Sequence, residues 1–480
     1  MRVWSSENAG DMPDLPVPQE RPGTFVPVDD ALVTRVEALL HADDETAIRR
    51  LLDEMFEADV AALISSLSDD DGQRLFALLP TAEAADVLAE LDEDDRETVL
   101  EDATSERVAE LLNELDTDDA ADVLGALDAA RAENVLPQLD DADEIRELLL
   151  YAGDTAGGLM ATEYVSVSRR ATVAEATEEV RRQAEEVDEV YNVYVTDEAD
   201  RLVGLLSLKR LLLSPSHTQV TEIMDDDFVT VEVDLDQEEV ARVMARYDLV
   251  SLPVVDKAGR LVGRITIDDV IDVLREEAEE DLQAIAGSGD EGLNDSAFQV
   301  SRGRLPWLVL GLLGCILSAS VVSMFEGALQ KVAVLAAFMP IMTAMAGNAA
   351  IQSASITVQG LSSGRLLPSD ALGRVGKELG VALLNGVVLA VLLGLAIFAL
   401  GSFHLGMFDL PAAELARVIL MAVLALMAVI TLATTNGALI PVLLSRIGID
   451  PAVSMGPFVT TANDILGLTV YFSIATYLFR

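Results

Sequence analysis

The sequence predicts a multidomain chain: an all-α superhelical N-terminal domain, an α/β pair of duplicated units, an α-helical connecting segment, and a five-helix transmembrane domain. Three observations carry that reading. Charge is dense before about Arg304 and nearly absent after it, which separates a soluble half from a membrane half. Ala84-Ala85-Asp86-Val87-Leu88 recurs as Ala120-Ala121-Asp122-Val123-Leu124, 36 residues later, a period that suits stacked helix pairs burying a shared apolar stripe. Arg201-Leu202-Val203-Gly204 recurs as Arg260-Leu261-Val262-Gly263, 59 residues later, and marks a second duplication. The boundaries that follow are a leader at 1–30, the helical domain at 31–150, the α/β pair at 151–275, the connecting helix and its linker at 276–301, and the transmembrane domain at 302–480.

The leader is polar and punctuated by Pro13, Pro16, Pro18, Pro22 and Pro27, so it reads as disordered. It offers no apolar h-region of a secretory signal, which places the soluble half on the cytoplasmic side. In the helical domain, short apolar-periodic segments alternate with Asp-rich turns. In the duplicated pair, strands are expected at 164–167 and 228–231, then at 190–196 and 252–256, each copy closing with a short strand and a helix. An acidic helix from Ile271 to about Leu293 carries Glu276, Glu277, Glu279, Glu280 and Asp281, loosened by the glycines from Gly287 to Gly292.

Five apolar stretches follow, at 305–325, 332–360, 379–403, 415–444 and 452–478, and each exceeds the roughly 20 helical residues that cross a hydrocarbon core. Arg302, Arg304, Arg365, Arg374, Lys377 and Arg446 fall on one side, Lys331, Arg417 and Arg480 on the other. The richer side is the cytoplasmic one by the positive-inside rule. Five spans offer few polar faces within one subunit, and a pore between two copies, a homodimer, accounts for the odd number.

A net charge of −50 excludes nucleic acid as a partner, because its phosphates would be repelled. It suits a surface that binds cations, or a chain adapted to high salt. Cys315 is the single cysteine, so no intrachain disulfide forms and thiolate metal chemistry is excluded. His41, His217 and His404 are scattered, and no phosphate-cradling loop or nucleophile motif is present; the chain does not read as an enzyme.

Asp464 stands out, in Thr460-Thr461-Ala462-Asn463-Asp464-Ile465-Leu466-Gly467. A carboxylate at the centre of a span costs roughly 2.5–3.5 kcal/mol on insertion scales, so it faces protein or water rather than lipid. Its Thr, Asn and Gly neighbours suit a cation path better than a helix-holding hydrogen bond. Gly467, one turn on, leaves room for a hydrated ion or for a close helix crossing. The second span contributes Pro340, Gly347, Asn348, Gln352, Ser353 and Ser355, neutral oxygen ligands that suit a hard ion keeping its water, as Mg²⁺ does. Small and amide residues also glue helices together. Two roles fit Asp450, which precedes Pro451: helix N-cap and cation ligand.

The duplicated β-α-β-β-α units resemble a CBS-domain pair, with Thr266 and Asp269 at the ribose-contacting Thr-x-x-Asp end and Ser207 and Arg210 in the other copy; the resemblance makes ATP a candidate ligand. The whole order of parts resembles the MgtE family of Mg²⁺ channels and transporters after about Ala31. Ala156-Gly157-Gly158-Leu159-Met160, Tyr247 to Asp256, Asp268-Asp269-Val270-Ile271-Asp272, Asp450-Pro451-Ala452, the run from Gly456 to Thr460, and Asp464 with Gly467 carry that likeness. It implies a homodimer in the lipid bilayer of the cell membrane, with a central pore where Asp464 binds hydrated Mg²⁺ and Asn348 contributes from the second span. It also implies regulatory Mg²⁺ sites at Asp86, Asp118 and Asp122, at Asp236, Glu238, Asp248, Asp269 and Asp272, and at Glu277, Glu280 and Asp281 on the connecting (plug) helix. One departure stands in the second span, where Ala350 and Ile351 replace the family's second glycine and asparagine. That leaves the choice among Mg²⁺, Mn²⁺ and Co²⁺ open. The competing class is a membrane-anchored divalent-ion sensor that conducts nothing, and a carboxylate at mid-membrane argues against it.

Overall fold

The Asp-rich turns of the N-terminal region act first as helix starts. In the computed structural model, Asp29 accepts from the Leu32 amide and Asp44 from that of Ala47, while Asp128 accepts from the amides of Ala130 and Arg131; such caps satisfy donors a helix start leaves orphaned. The structure describes residues 28–183, 187, 190–286, 297–332, 334–363, 365–366, 370–403, 410–449 and 451–479. The leader through residue 27, His404, Asp450 and the Gly287–Gly292 stretch therefore lie outside the described residues.

Among the described residues the first region forms ten short helices: α1 (Asp30–His41), α2 (Glu45–Leu52), α3 (Glu57–Ser65), α4 (Asp69–Phe76), α5 (Thr81–Ala89), α6 (Glu93–Leu100), α7 (Ser105–Leu112), α8 (Thr117–Ala126), α9 (Ala129–Val135) and α10 (Ala142–Leu148). From α3 onward each packs on the helix two places along: α3 on α5, α4 on α6, α5 on α7, α6 on α8, α7 on α9 and α8 on α10. That is the stacking of a superhelix. The 36-residue repeat is its imprint, for Ala84, Ala85, Val87 and Leu88 are buried in α5, as are Ala120, Ala121, Val123 and Leu124 in α8, while Asp86 and Asp122 point outward. Arginines close helix ends across the stack: Arg74 donates to the Leu40 carbonyl (2.7 Å), Arg96 to those of Leu88 (3.1 Å) and Ala89 (2.5 Å), and Arg131 to those of Leu100 (2.5 Å) and Ala103 (2.6 Å).

Two matching three-stranded sheets follow. The first holds β1 (Ser166–Ser168), β2 (Asn192–Thr196) and β3 (Leu202–Ser207), with helices α11 (Val173–Gln183) and α12 (Leu208–Leu213); the second holds β4 (Val231–Glu232), β5 (Ser251–Val255) and β6 (Leu261–Thr266), with α13 (Gln237–Tyr247) and the start of α14 (Ile267–Ala286). Each sheet pairs its first two strands parallel and its last two antiparallel, with a bulge at the same place, after Val195 and after Val254. Asp197 clips Arg201 in one hairpin and Asp256 clips Arg260 in the other. The hairpins join through reciprocal backbone bonds, Leu202 N–H to the Gly259 carbonyl (3.2 Å) and Leu261 N–H to the Asp200 carbonyl (3.1 Å). The first strand of each copy starts later than its apolar run, at Ser166 and at Val231; Tyr164 lies before β1, its ring meeting Tyr194 edge-on at 5.8 Å.

The chain divides after Val270 into two compact units. Helix α14 starts at Ile267, directly after β6 and four residues before the expected Ile271, and runs to Ala286. Among the described residues five helices are long and apolar enough to cross a membrane. They are α15 (Ala297–Met324), then, after the short α16 (Glu326–Lys331), α17 (Leu335–Ser362), α18 (Ala371–Ser402), α19 (Ala412–Arg446) and α20 (Pro457–Leu478). The last stretch is not one helix from 452, as its hydropathy suggested. Ala452–Met455 forms a 3₁₀ turn, Gly456 breaks the ladder at ψ −132°, and Pro457 restarts it as first helical residue. Helices α17 and α19 touch backbone to backbone, since a Cβ at Gly437 would collide with the Ala350 carbonyl oxygen.

Candidate cation sites

In the first unit, the start of α8 faces the end of β6. Thr117 is 2% and Asp118 9% exposed, beside Asp119, Asp116, Glu163 and Asp269. Burial pushes the Asp118 carboxyl well above the usual range; the charges of Asp269, Asp119 and Asp116 add to this, and the Asp119 N–H opposes it. Asp119 is pushed up to about 7, by burial and then by Asp269, with Arg96 pulling back. Asp269 rises to about 6 through burial, although the Thr266 hydroxyl and N–H donate to it at 2.6 and 3.0 Å. Asp122 also rises, because protein crowds it even though its edge reaches water; Arg96 opposes and Glu93 adds. Burial first, and the charges of neighbouring acids second, disfavour the ionised form of these carboxyls. Carboxylate oxygens are the donors a hard divalent ion takes, often through its own water.

The remaining sequence-predicted acids sit elsewhere. Asp236 caps α13 by accepting from the Glu238 amide (3.0 Å), Glu238 pairs with Arg242 (2.6 Å), and Asp248 ends α13 in a left-handed conformation (φ 52°). Asp86 lies on the outer face of α5, as its exposure shows. In the second unit, Asp272 is 3.7 Å from Arg275, and Glu277, Glu280 and Asp281 lie one turn apart on one side of α14. Among the described residues no three Asp, Glu, His or Cys side chains converge as a ready metal cage. Asp119, Asp116, Glu163 and Thr117 were missed by sequence reasoning. Thr117-Asp118-Asp119 is at least a visible acidic helix start, whereas Glu163 carries no local signal.

Within the membrane-spanning helices, Asp464 is half-buried on α20, and Asn348 is exposed on α17. Asn348, Gln352, Ser355 and Gln359 recur at helical spacing, all reaching the surface of the single chain, and so form a polar stripe down an otherwise apolar helix. Ser353 does not share it, being 2% exposed and turned into the packing with Thr357. A Cβ added at Gly467 would stand 3.5 Å from Val429 and 3.7 Å from Ala346, so the glycine lies where α20 passes α19 and α17. Next to Asp464, Asn463 is buried and accepts from Asn436 on α19 (3.4 Å), a partner the sequence did not reveal. The acidic helix touches the spanning helices, for its Ala284 packs against Ala354, Val358, Ala452 and Met455.

Three family profiles match the chain: the MgtE intracellular N domain over residues 55–154, the CBS domain over 156–216 and 220–276, and the MgtE divalent cation transporter over 339–474. A magnesium transporter MgtE of Thermus thermophilus is 38% identical over 341 residues, 70% of this chain and 72% of that protein. Those of Enterococcus faecalis (71% of this chain) and Bacillus subtilis (70%) are each 35% identical and are covered to 72% of their lengths. Among solved structures, the cytosolic domain of the Mg²⁺ channel MgtE in complex with ATP is 41% identical, at TM-score 0.48, over 50% of this chain and 100% of that one. The soluble part of a magnesium transporter is 33% identical, at TM-score 0.46, over 51% and 98%. With its order of helical domain, CBS pair and five apolar helices, this chain belongs to the MgtE family of magnesium transporters.

Proposed function

We propose that the chain is a homodimeric channel of the cell membrane, with its N-terminal domains in the cytoplasm, that passes Mg²⁺ inward down the membrane potential. Two copies of Asp464 flank the ion path, and the Asn348 stripe lines it. The observation that carries this reading is Asp464 itself, a half-buried carboxylate inside an apolar spanning helix. Neutral amide and hydroxyl oxygens on α17 suit an ion that keeps its first water shell.

Cytoplasmic Mg²⁺ closes the pore. The acids of α8 repel Asp269 until divalent ions stand between them, and Asp86, Asp122, Asp236, Glu238, Asp248 and Asp272 add further weak cation sites. Glu277, Glu280 and Asp281 carry the response along α14, whose Ala284 already packs beside the 3₁₀ turn that opens the fifth span. Moving a gate from 1:99 to 99:1 needs about 5.5 kcal/mol of differential binding, which several weak sites supply together. ATP belongs to the reading as a second ligand of the CBS pair, since Thr266 and Asp269 offer a hydroxyl and a carboxylate to a ribose; binding of labelled ATP to the purified protein tests that part. The decisive measurement is Mg²⁺ flux into proteoliposomes with competing Mn²⁺ and Co²⁺, with cytoplasmic-side Mg²⁺ varied at constant ionic strength. Flux that Asp464→Ala leaves intact ends the pore assignment, and flux indifferent to cytoplasmic-side Mg²⁺ ends the gating one.

A further inference from the structure

Helix α8 begins without help from its own cap. Asp116 occupies the cap position and makes no capping hydrogen bond there. The first-turn donors are taken instead by Glu163, 46 residues on: the Thr117 amide donates to its Oε1 (3.0 Å) and the Thr117 hydroxyl to its Oε2 (2.9 Å). The Thr162 amide donates back to the Thr117 hydroxyl (3.0 Å), and the Thr162 hydroxyl reaches Glu144 on α10 (3.0 Å). A carboxylate at a helix N-terminus is favoured by the exposed amides and the helix dipole. This one is supplied from the segment that leads into β1, so the bond ties the helical domain to the CBS pair. Its cost is evident: it sets a third acid beside Asp116 and Asp118, where burial and the Asp116 charge already disfavour ionised Glu163.

We propose that Glu163, acting through Thr117, is a positioning residue for cation sensing: it clasps the first turn of α8 to the segment entering the CBS pair and holds Asp118 and Asp119 against Asp269. The inference rests on the sensing role proposed above and adds its regulation. With the clasp closed, a divalent ion meets acids already facing one another and need not order the interface itself. With the clasp removed, the same acids remain but the ion must also pull α8 into place, so the site answers at higher Mg²⁺.

Hydrogen–deuterium exchange on the full-length protein in detergent, titrated with Mg²⁺ at constant ionic strength, tests this. The α8 amides of Glu163→Ala should exchange faster than wild type in EDTA. The Mg²⁺ midpoint for their protection should rise about tenfold, the equivalent of about 1.4 kcal/mol, with the same final protection. Glu163→Gln, which keeps one carbonyl acceptor, should fall between the two. Thr117→Val serves as an independent variant where Glu163→Ala folds poorly. Unchanged exchange in EDTA overturns the clasp. Faster exchange with an unmoved midpoint overturns the positioning role. A wild type in which no region responds to Mg²⁺ sinks the sensing reading, and with it the role of Glu163 in sensing, while the EDTA arm still reports the clasp as a contact of the fold.

Discussion

The Asn436 amide donates to Asn463 Oδ1 at 3.4 Å, across the contact of α19 with α20 and one residue before Asp464. Successive helical residues differ by about 100° in bearing, so a bond that fixes Asn463 inward also fixes the direction in which Asp464 leaves the helix. Asn463→Leu should keep the protein monodisperse and reduce Mg²⁺ flux about threefold, the equivalent of the roughly 0.6 kcal/mol typical of such a bond in a membrane. Size-exclusion profiles and proteoliposome flux, read on the same preparation, check it. Unaltered flux would mean that the pair only packs.

Asp464→Ala should fold and assemble as wild type does. Its Mg²⁺ flux should fall by more than about tenfold, since loss of one charged ligand easily exceeds 1.4 kcal/mol. Radiotracer or dye uptake at matched protein content measures it.

The acids at the starts of α8 and α14 make a pH prediction with a definite sign. Asp119 and Asp269 have folded values near 7 and 6, above the ordinary 3.8. The folded state therefore binds protons more tightly than the unfolded one, and stability is greatest when these groups are protonated. Metal-free stability of the first unit should fall as pH rises from about 4 through 6 and 7, and level off above that. Thermal unfolding of the full-length protein in EDTA, followed by protease sensitivity of residues 28–270, should show this decline. Saturating Mg²⁺ should flatten it, because a bound cation takes the place of the proton.

A two-fold axis beside α20 also has a positional signature. Leu466 is 41% exposed and Ser473 reaches the surface, whereas Leu468 and Phe472 are buried against neighbouring helices. After Cys315→Ser, single cysteines at Leu466 and Ser473 should form intersubunit cross-links, and those at Leu468 and Phe472 should not. Gel mobility after oxidation reads the outcome. The reverse pattern, or none, would place the axis elsewhere.

Periodicity made much of this molecule readable in advance. The 36-residue repeat announced α5 and α8, the duplicated Arg-Leu-Val-Gly announced the two hairpins, and long apolar runs announced the five spanning helices. Boundaries were harder, because they depend on single backbone events: Gly456 breaks what hydropathy joins, and Thr266 passes directly into α14 with no residue to mark a stop. The acid site was half visible. Asp118 and Asp269 stood out through a family likeness, but the bond from Glu163 to Thr117 and the pairing of Asn436 with Asn463 join residues far apart in the chain. No local pattern encodes such meetings; only the packed fold creates them.

The arginines that close the helix ends have a consequence beyond capping. Arg96 and Arg131 turn to backbone carbonyls, and Arg74 divides its guanidinium between the Leu40 carbonyl and Asp43 (2.8 Å), in a chain with 32 basic against 82 acidic residues. Of these three, Arg96 alone also offsets Asp119 and Asp122, and both remain raised. The excess of acid over base is thus left to be screened by whatever cations the surrounding water holds. A region so one-sidedly charged should swell as salt is withdrawn and contract as it is added, because like charges repel across it until ions screen them.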